Sequence, residues 1–316
     1  MGTKVRATLR MATQQRAASS DQQRLRRIAA HVDGGGVRPS EHSEAAAAPT
    51  AGGDGVRHGG WLLVQSLLAH GVDRVFAVPG ESYLAVLDGL YDAPSVEVVI
   101  CRQEGGCAIM AEADGKMKGT PGIAMVTRGP GATNASAGVH IAFQDSTPMI
   151  LLVGQVGRSM FDREAFQEVD YRKMYGPGVG LAKAAFQIDA PERIPEYMNR
   201  AFSLACSGRP GPVVLALPED VLSGVLPYDL PAPLPALVPK PAPPTEAIAE
   251  LGARIAAARQ PFILAGGGGW CEATCEALGA FATKFAMPVG LAFRRQDNLN
   301  NLHPCYVGHV GIGPDP

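Results

Sequence analysis

The amino-acid sequence predicts an α/β protein built around a doubly wound parallel sheet. Short apolar runs of strand length alternate with segments of helical spacing between residues 59 and 218, a pattern typical of parallel strands joined by right-handed crossover helices. Two of these runs, 98–100 and 123–126, each lead through a polar, glycine-bearing turn into a helix-like segment. Because ligands bind at the carboxyl ends of the strands in such sheets, a ligand site is expected at these two turns.

The elements of this first domain follow one another in a regular order. Apolar residues at helical spacing predict a first helix over 61–70, and Gly71 suits the position that follows a helix C-terminus. The next predicted elements are strand 75–78, helix 83–90, strand 98–100, helix 107–118, strand 123–126, helix 131–143 and strand 149–153. The last are a loop region over 159–180, a helix over 191–207 and a strand over 213–217.

Composition separates a tail and a linker from this domain, which is placed at 58–218. Residues 1–57 have little apolar periodicity and are expected to form a disordered, low-complexity tail. The proline-rich stretch 219–244 predicts an extended, semi-rigid linker.

A second domain, only partly built, is predicted over 245–316. Thr245 is the expected N-cap of its first helix, which ends near Arg259. A strand over 262–265 then runs into four consecutive glycines, and a further helix leads to a strand over 288–292.

Composition and charge exclude several functional classes. A net charge of −2 gives no general attraction to nucleic acids. No apolar run approaches the ~18–20 residues that a membrane span needs. The six cysteines form no CxxC pair, which favours buried thiols in a reducing cytosol over a disulfide or zinc site, so no metal ligands are predicted. A cytoplasmic protein is expected, although the arginine-rich beginning also fits an organelle transit peptide.

Five motifs resemble, in the same order, the N-terminal half of thiamine-diphosphate enzymes of the acetolactate synthase group. They are RQEGG, TRGPGATN, FQDSTPMILLVGQV, AFQEVD and GRPGPVVLALPEDV, and the resemblance covers roughly residues 59–316. One GPG loop would be weak evidence, whereas five motifs in register are specific. The resemblance implies a pyrimidine-binding domain followed by a partial, Rossmann-like central domain.

By this resemblance, Glu104 is the catalytic residue. The family's glutamate accepts a hydrogen bond from the aminopyrimidine ring nitrogen and so favours the imino tautomer that removes the C2 proton. A carboxyl group walled by apolar residues at a strand end has the raised proton affinity that this step needs. The alternative for Glu104 is a solvated side chain at a loop or a helix N-terminus. Gln103 stands where the family usually has His, beside the reacting centre, which leaves the reaction and its substrate open.

The resemblance also implies the residues around the cofactor and the substrate. Those matched to cofactor contacts are Pro79, Gly80, Pro130, Asn134 and Gln167, and Phe166 is matched to a position beside the substrate. The alternatives are ordinary turns for the proline and glycine residues and a surface loop for AFQE.

Two further cofactors are implied with less direct support. Arg209 matches a flavin-contacting arginine of acetolactate synthases, and the glycines at 266–269 suit a nucleotide crevice, so FAD is a candidate. Mg²⁺ is expected to have its ligands in a C-terminal domain beyond this sequence. The triplet Gly53-Asp54-Gly55 is not interpreted as the magnesium motif, because no buried strand precedes it.

The resemblance implies a thiamine-diphosphate carboligase or decarboxylase that acts on a 2-oxo acid. The first choice of reaction is the conversion of two pyruvate to 2-acetolactate and CO₂, a step of branched-chain amino acid biosynthesis. The alternatives are a benzoylformate-type decarboxylase or glyoxylate carboligase, and a non-catalytic cofactor-binding or partner subunit. A homodimer or homotetramer is implied. Without the diphosphate-binding domain, the chain is expected to be an N-terminal fragment that is inactive alone.

Overall fold

The first part of the molecule is a parallel sheet. The computed structural model describes residues 57–226, 230–239 and 241–313, so the expected tail, apart from Arg57, and the Gly53-Asp54-Gly55 triplet lie outside the described residues. The strands are β1 (Arg74–Ala77), β2 (Glu97–Ile100), β3 (Gly122–Val126), β4 (Met149–Gln155), β5 (Ala184–Gln187) and β6 (Pro212–Pro218). Their order is β2-β1-β3-β4-β6-β5, and every neighbouring pair is parallel, which confirms the predicted fold class.

Helices cover both faces of this sheet. They are α1 (Gly59–Ala69), α2 (Leu84–Tyr91), α3 (Glu104–Lys118), α4 (Pro130–Asp145), α5 (Tyr171–Tyr175), α6 (Ile194–Cys206) and α7 (Glu219–Leu222), with 3₁₀ turns at Glu81–Tyr83, Arg158–Met160 and Pro191–Arg193. One core cluster joins α1, α2 and α6 to the sheet, and a second joins α3 and α4 to the opposite face. The sheet is therefore doubly wound, as its alternating sequence pattern predicts.

A second, smaller parallel sheet follows the linker. Its elements are α8 (Thr245–Ala257), β7 (Ile263–Ala265), α9 (Glu272–Phe285), β8 (Val289–Ala292) and β9 (Tyr306–Val310), with strand order β7-β8-β9. A small core holds it together, formed by Ala265, Ala282, Val289, Leu291 and Leu299. Among the described residues, no helix combines the length and the apolar character that a membrane crossing requires.

Several short elements differ from the sequence predictions. The segment predicted as an extended linker begins with the helix α7, whose Val221 and Leu222 belong to the first core. The helix α5 lies inside the predicted loop region 159–180, and the edge strand β5 was not predicted. Thr245 is the first helical residue, and Pro244 takes the N-cap position without a side-chain capping bond. Helices as short as α5 and α7 span about one turn and show no helical periodicity, and β5 has only one buried residue, so its apolar pattern is weak.

Close packing of α3 on α4 determines how the sheet's site-bearing edge is arranged. Gly138 of α4 lies against Ala108 of α3 so closely that an added Cβ would be 2.5 Å from the Ala108 Cβ and 2.7 Å from its carbonyl carbon. Because a methyl group does not fit there, the two helices can pack this closely only with glycine at position 138. Their amino ends, which carry Glu104 and Asn134, are brought together by the same contact.

We expect Gly138→Ala to lower the free energy of unfolding by about 1–3 kcal/mol, because the methyl group must push the α3 backbone away. The matched control is Gly252→Ala in α8, where an added Cβ meets nothing within 4 Å. There the better helix former should be neutral or stabilising by up to about 1 kcal/mol. Urea denaturation followed by circular dichroism compares the two variants, and equal midpoints would contradict the packing constraint.

A half-buried histidine predicts that folding is sensitive to acid. His70 follows α1, its ring stacks on Phe202 with 4.0 Å between ring centroids, and its Nδ1 lies 2.7 Å from the Ser66 carbonyl oxygen. Burial lowers the pKa of His70 from its usual value of 6.5, and the hydrogen bond to Ser66 opposes that shift only in part. The folded protein therefore takes up this proton at lower pH than the unfolded chain does.

Stability should consequently fall as the pH drops below about 6.5, since the unfolded state then binds the proton that the native His70 does not. His70→Gln removes this titration and should flatten the slope of stability against pH between 6.5 and 5. Urea midpoints measured across that range check it, and an unchanged slope in the variant would mean that other groups cause the acid sensitivity.

Candidate functional site

The carboxyl ends of three adjacent strands carry most of the predicted site residues. Pro79 and Gly80 follow β1, Glu104 opens α3 after β2, and Pro130 opens α4 after β3. The three strands are neighbours in the order β2-β1-β3, so their ends meet at one edge of the sheet. The turns after β2 and β3 therefore lie at the same sheet edge, with the corner after β1 between them.

A hydrogen bond joins the two helix starts. The Asn134 Nδ2 atom, in the second turn of α4, donates to the Glu104 Oε2 atom at 3.1 Å. Glu104 is half-buried and is the first residue of α3, where the helix dipole favours negative charge. The hydrogen bond from Asn134 directs the Glu104 carboxylate toward the corner that begins α4. The apolar wall expected around Glu104 stays a prediction.

Gln103 caps α3 with its side chain. Its Oε1 atom accepts a hydrogen bond from the Gly106 backbone N–H at 2.8 Å, which satisfies one of the unpaired donors at the helix start. Gly105 leaves room for this cap, since an added Cβ would lie 2.9 Å from the Gln103 Oε1 atom and 3.2 Å from the Asn134 carbonyl oxygen. The cap was not predicted, and the role beside the substrate stays a prediction.

The glycine-proline turn after β3 is held by contacts from a distant loop. Gly129 has a φ of +61°, and its backbone N–H donates to the Tyr171 hydroxyl oxygen at 2.7 Å. An added Cβ on Gly129 would be 2.7 Å from the Gln167 Cβ, so Gln167 lies directly on this turn. The structure thus brings Gln167 to Gly129 and Pro130, and neighbouring Phe166 is 76% exposed.

The loop that presents Phe166 and Gln167 has an ordered backbone. The Glu168 carboxylate accepts hydrogen bonds from the Asp162 and Ala165 backbone N–H groups at 2.9 and 3.1 Å. Asp162, Glu164 and Gln167 all have positive φ, which is uncommon for residues other than glycine. Side-chain bonds of this kind carry no periodic signal, so the sequence predicted only a loop.

The corner after β1 lies against the turn after β3. An added Cβ on Gly80 would be 2.6 Å from the Thr127 Cβ, so the two loops touch through a glycine. The Ser82 and Thr127 hydroxyl oxygens are 2.8 Å apart, and Arg128 forms ion pairs with Glu81 and Glu219. These contacts were not predicted from the sequence, although Arg128 stands inside the TRGPGATN motif.

Arg209 lies away from these corners. It donates from Nε to the Ser146 Oγ atom at 2.8 Å and from Nη2 to the carbonyl oxygens of Phe143 and Gln144 at 3.0 and 3.3 Å. These groups surround the C-terminus of α4, a helix of 16 residues that is about 24 Å long. The structure therefore does not bring Arg209 together with Glu104 and Asn134. Arg209 instead lies near the second sheet. Its partner Ser146 is close to Gly268 in the loop after β7, where an added Cβ would be 3.1 Å from the Ser146 carbonyl oxygen.

A buried ion cluster joins the two parts of the molecule at the same helix end. The Asp145 carboxylate accepts hydrogen bonds from Lys116, at 2.9 Å, and from Arg294, and Arg295 donates to the Asp145 carbonyl oxygen at 2.8 Å. Burial would raise the pKa of Asp145, but the hydrogen bonds from Lys116 and Arg294 outweigh it and hold the pKa below its usual value. In the described part of the chain, no group of three or more His, Cys, Asp or Glu side chains could hold a metal ion.

Comparison with known proteins gives matches to two family models and to several longer proteins. Residues 57–174 match the family model "Thiamine pyrophosphate enzyme, N-terminal TPP binding domain", and residues 248–316 match "Thiamine pyrophosphate enzyme, central domain". The chain is 36% identical over 259 residues to a probable acetolactate synthase large subunit of Methanocaldococcus jannaschii, covering 80% of this chain and 43% of that protein. It is 33% identical over 258 residues to the acetolactate synthase isozyme 2 large subunit of Escherichia coli, covering 81% of this chain and 45% of that protein. The chain thus spans less than half the length of these relatives.

The cap on α3 gives a direct test of the local geometry. Gln103→Ala should cost about 1 kcal/mol and speed hydrogen exchange at the Gly106 amide, whereas Gln103→Asn should retain a cap, since Asn is among the preferred N-cap residues. Amide exchange measured by NMR decides between them. Equal exchange in the wild type and the Ala variant would show that the amide oxygen does not cap this helix.

Proposed function

Because the chain belongs to the thiamine pyrophosphate enzymes, we propose that it forms the aminopyrimidine side of a thiamine-diphosphate site. The proposed enzyme is an acetolactate synthase that converts two pyruvate to 2-acetolactate and CO₂ in branched-chain amino acid biosynthesis. The observation that carries the proposal is the Glu104 carboxylate at the end of β2, oriented by Asn134 from the neighbouring corner. The names of the relatives support the reaction.

The residues present fit the cofactor. Thiamine diphosphate supplies, when bound, the nucleophilic carbon that adds to a 2-oxo group. Glu104 would accept a hydrogen bond from the N–H of a protonated pyrimidine ring, and the Asn134 amide holds the carboxylate in one orientation for that contact. Gly80 packs directly on Thr127 and Gly129 packs directly on Gln167, so the two corners and the Gln167 loop adjoin one another beside the proposed ring site.

The cap formed by Gln103 bears on the substrate. Its amide oxygen accepts a hydrogen bond from the Gly106 backbone N–H, so α3 fixes the orientation of the side chain. This residue differs from the histidine usual in the family. We therefore retain benzoylformate- or glyoxylate-type 2-oxo acids as the second choice of substrate after pyruvate.

The remaining parts of the assembly are also proposals. FAD is proposed at the second sheet, supported by the glycine loop after β7, where Gly267 and Gly269 have positive φ, and by Arg209 beside it. Mg²⁺ is proposed as the partner of the diphosphate, whose charge requires a cation. Exposed apolar side chains on α3 support a homodimer or homotetramer, and Met117 is 85% exposed. A cytoplasmic location is supported by six free thiols.

Glu104→Gln tests the function. The test uses a form extended by a C-terminal part like that of the longer relatives, since the chain alone is expected to be inactive. With thiamine diphosphate and Mg²⁺ present, the wild-type form should accelerate exchange of the cofactor C2 proton. The Gln variant should lose most of that acceleration while it keeps its fold, because an amide cannot take the place of the carboxylate at the ring nitrogen. NMR of the bound cofactor measures exchange, and isothermal titration measures binding. Asn134→Ala is the companion variant and should show an intermediate effect. Wild-type exchange in Glu104→Gln would refute the catalytic assignment.

A further inference from the structure

Arg128 is a buried cation that connects the ends of three strands. It follows β3 and is only 9% exposed. Its Nη2 atom pairs with the Glu81 carboxylate at 2.9 Å, and its Nη1 atom pairs with Glu219. Glu81 lies in the 3₁₀ turn after β1, and Glu219 opens α7 directly after β6. One guanidinium therefore spans the sheet edge from β1 to β6, with β3 and β4 between.

The backbone of the same residue is fixed from the β1 side. The Arg128 N–H donates to the Ser82 Oγ atom at 3.3 Å, and that hydroxyl group is also hydrogen-bonded to the Thr127 hydroxyl. Gly154 of β4 leaves the space for Ser82, since an added Cβ there would be 1.9 Å from the Ser82 Oγ atom. Side chain and main chain of Arg128 thus hold the corner after β1 against the turn after β3.

Stability alone does not explain why an arginine is buried here. Removing a guanidinium from water is costly, and its partners are exposed carboxylates, with Glu81 at 69% and Glu219 at 44% side-chain exposure. Such pairs contribute little to folding. The buried Nε atom has no hydrogen-bond partner, which adds to the cost. What this arginine provides, and an apolar side chain would not, is a fixed distance between the loops.

We propose that Arg128 is a positioning residue for the Glu104 site. It precedes the turn that begins α4, and α4 carries the Asn134 amide that orients Glu104. It also holds Pro79 and Gly80, through Glu81, against that turn. The role for catalysis rests on the proposed function, whereas the restraint on the two corners does not. A displacement of about 1 Å between such groups can cost 10²-fold in rate.

The test compares Arg128→Met and Arg128→Lys with Arg158→Met. Arg158 is the matched control, because it also makes an ion pair at this sheet edge, with Asp220 at 2.7 Å, but contacts neither corner. Hydrogen exchange of peptides covering 78–84 and 127–136 and thermal melting are measured on each purified chain. Thiamine-diphosphate affinity with Mg²⁺ is measured on the same variants in a form extended by a C-terminal part like that of the longer relatives. Arg128→Met should speed exchange in both peptides and weaken binding about tenfold, with a melting temperature close to that of the wild type. Arg128→Lys should show smaller changes in exchange and in cofactor affinity than Arg128→Met. Arg158→Met should leave the exchange of both peptides and the cofactor affinity unchanged.

A second variant covers the case in which Arg128→Met does not fold. Glu81→Ala alters only an exposed side chain and removes the acceptor that links Arg128 to the β1 corner, so it should speed exchange in 78–84 and in the Gly129 turn. Wild-type exchange in both Arg128→Met and Glu81→Ala, or an equal rise in Arg158→Met, would overturn the inference. An extended wild-type form that fails to bind the cofactor would count against the proposed function alone, since the exchange comparison still decides the positioning role.

Discussion

The contact between α3 and α4 is the constraint on which the candidate site depends. These helices follow β2 and β3, which are separated in the sheet by β1. Glu104 and Asn134 reach each other because Gly138, which has no side chain, lets α4 pack closely against Ala108 of α3. A bulkier contact would move the amino end of one helix away from the other. The sheet sets the direction of the two helices, and the absence of one methyl group sets their separation.

The parts of the fold that could be predicted are those with a strong local pattern. The strands β3 and β4 are buried throughout and read as continuous apolar runs, as expected for a parallel sheet covered on both faces. The edge strand β5 has only its first residue buried and shows no such pattern. The site followed the same rule. Glu104 and Asn134 could be found from motifs near in sequence, whereas Arg128 meets partners 47 and 91 positions away, which only the folded topology makes neighbours.

The helix α4 connects two regions of opposite electrostatic character. At its amino end, free backbone N–H groups and the Asn134 amide lie beside a carboxylate. At its carboxyl end, Arg209 donates to the last carbonyl groups, and Asp145 links Lys116 to Arg294 of the second part. Both arrangements agree with the helix dipole. A shift of the second sheet would therefore act on the same rigid element that carries Asn134.

Gln103 fills a capping role that a histidine also fills elsewhere in this chain. The chain caps α1 with a histidine, since the His58 Nδ1 atom accepts from the Trp61 N–H at 3.2 Å, and it caps α3 with a glutamine. Either residue can therefore supply the acceptor that a helix start requires. They differ in the polar atom that does not cap the helix: the second imidazole nitrogen of a histidine can gain a proton near neutral pH, whereas the amide nitrogen of a glutamine cannot. In the family that the motif resembles, histidine is usual at this position. With Gln103 the chain keeps the cap on α3 and gives the Glu104 corner a neighbour whose charge does not change with pH.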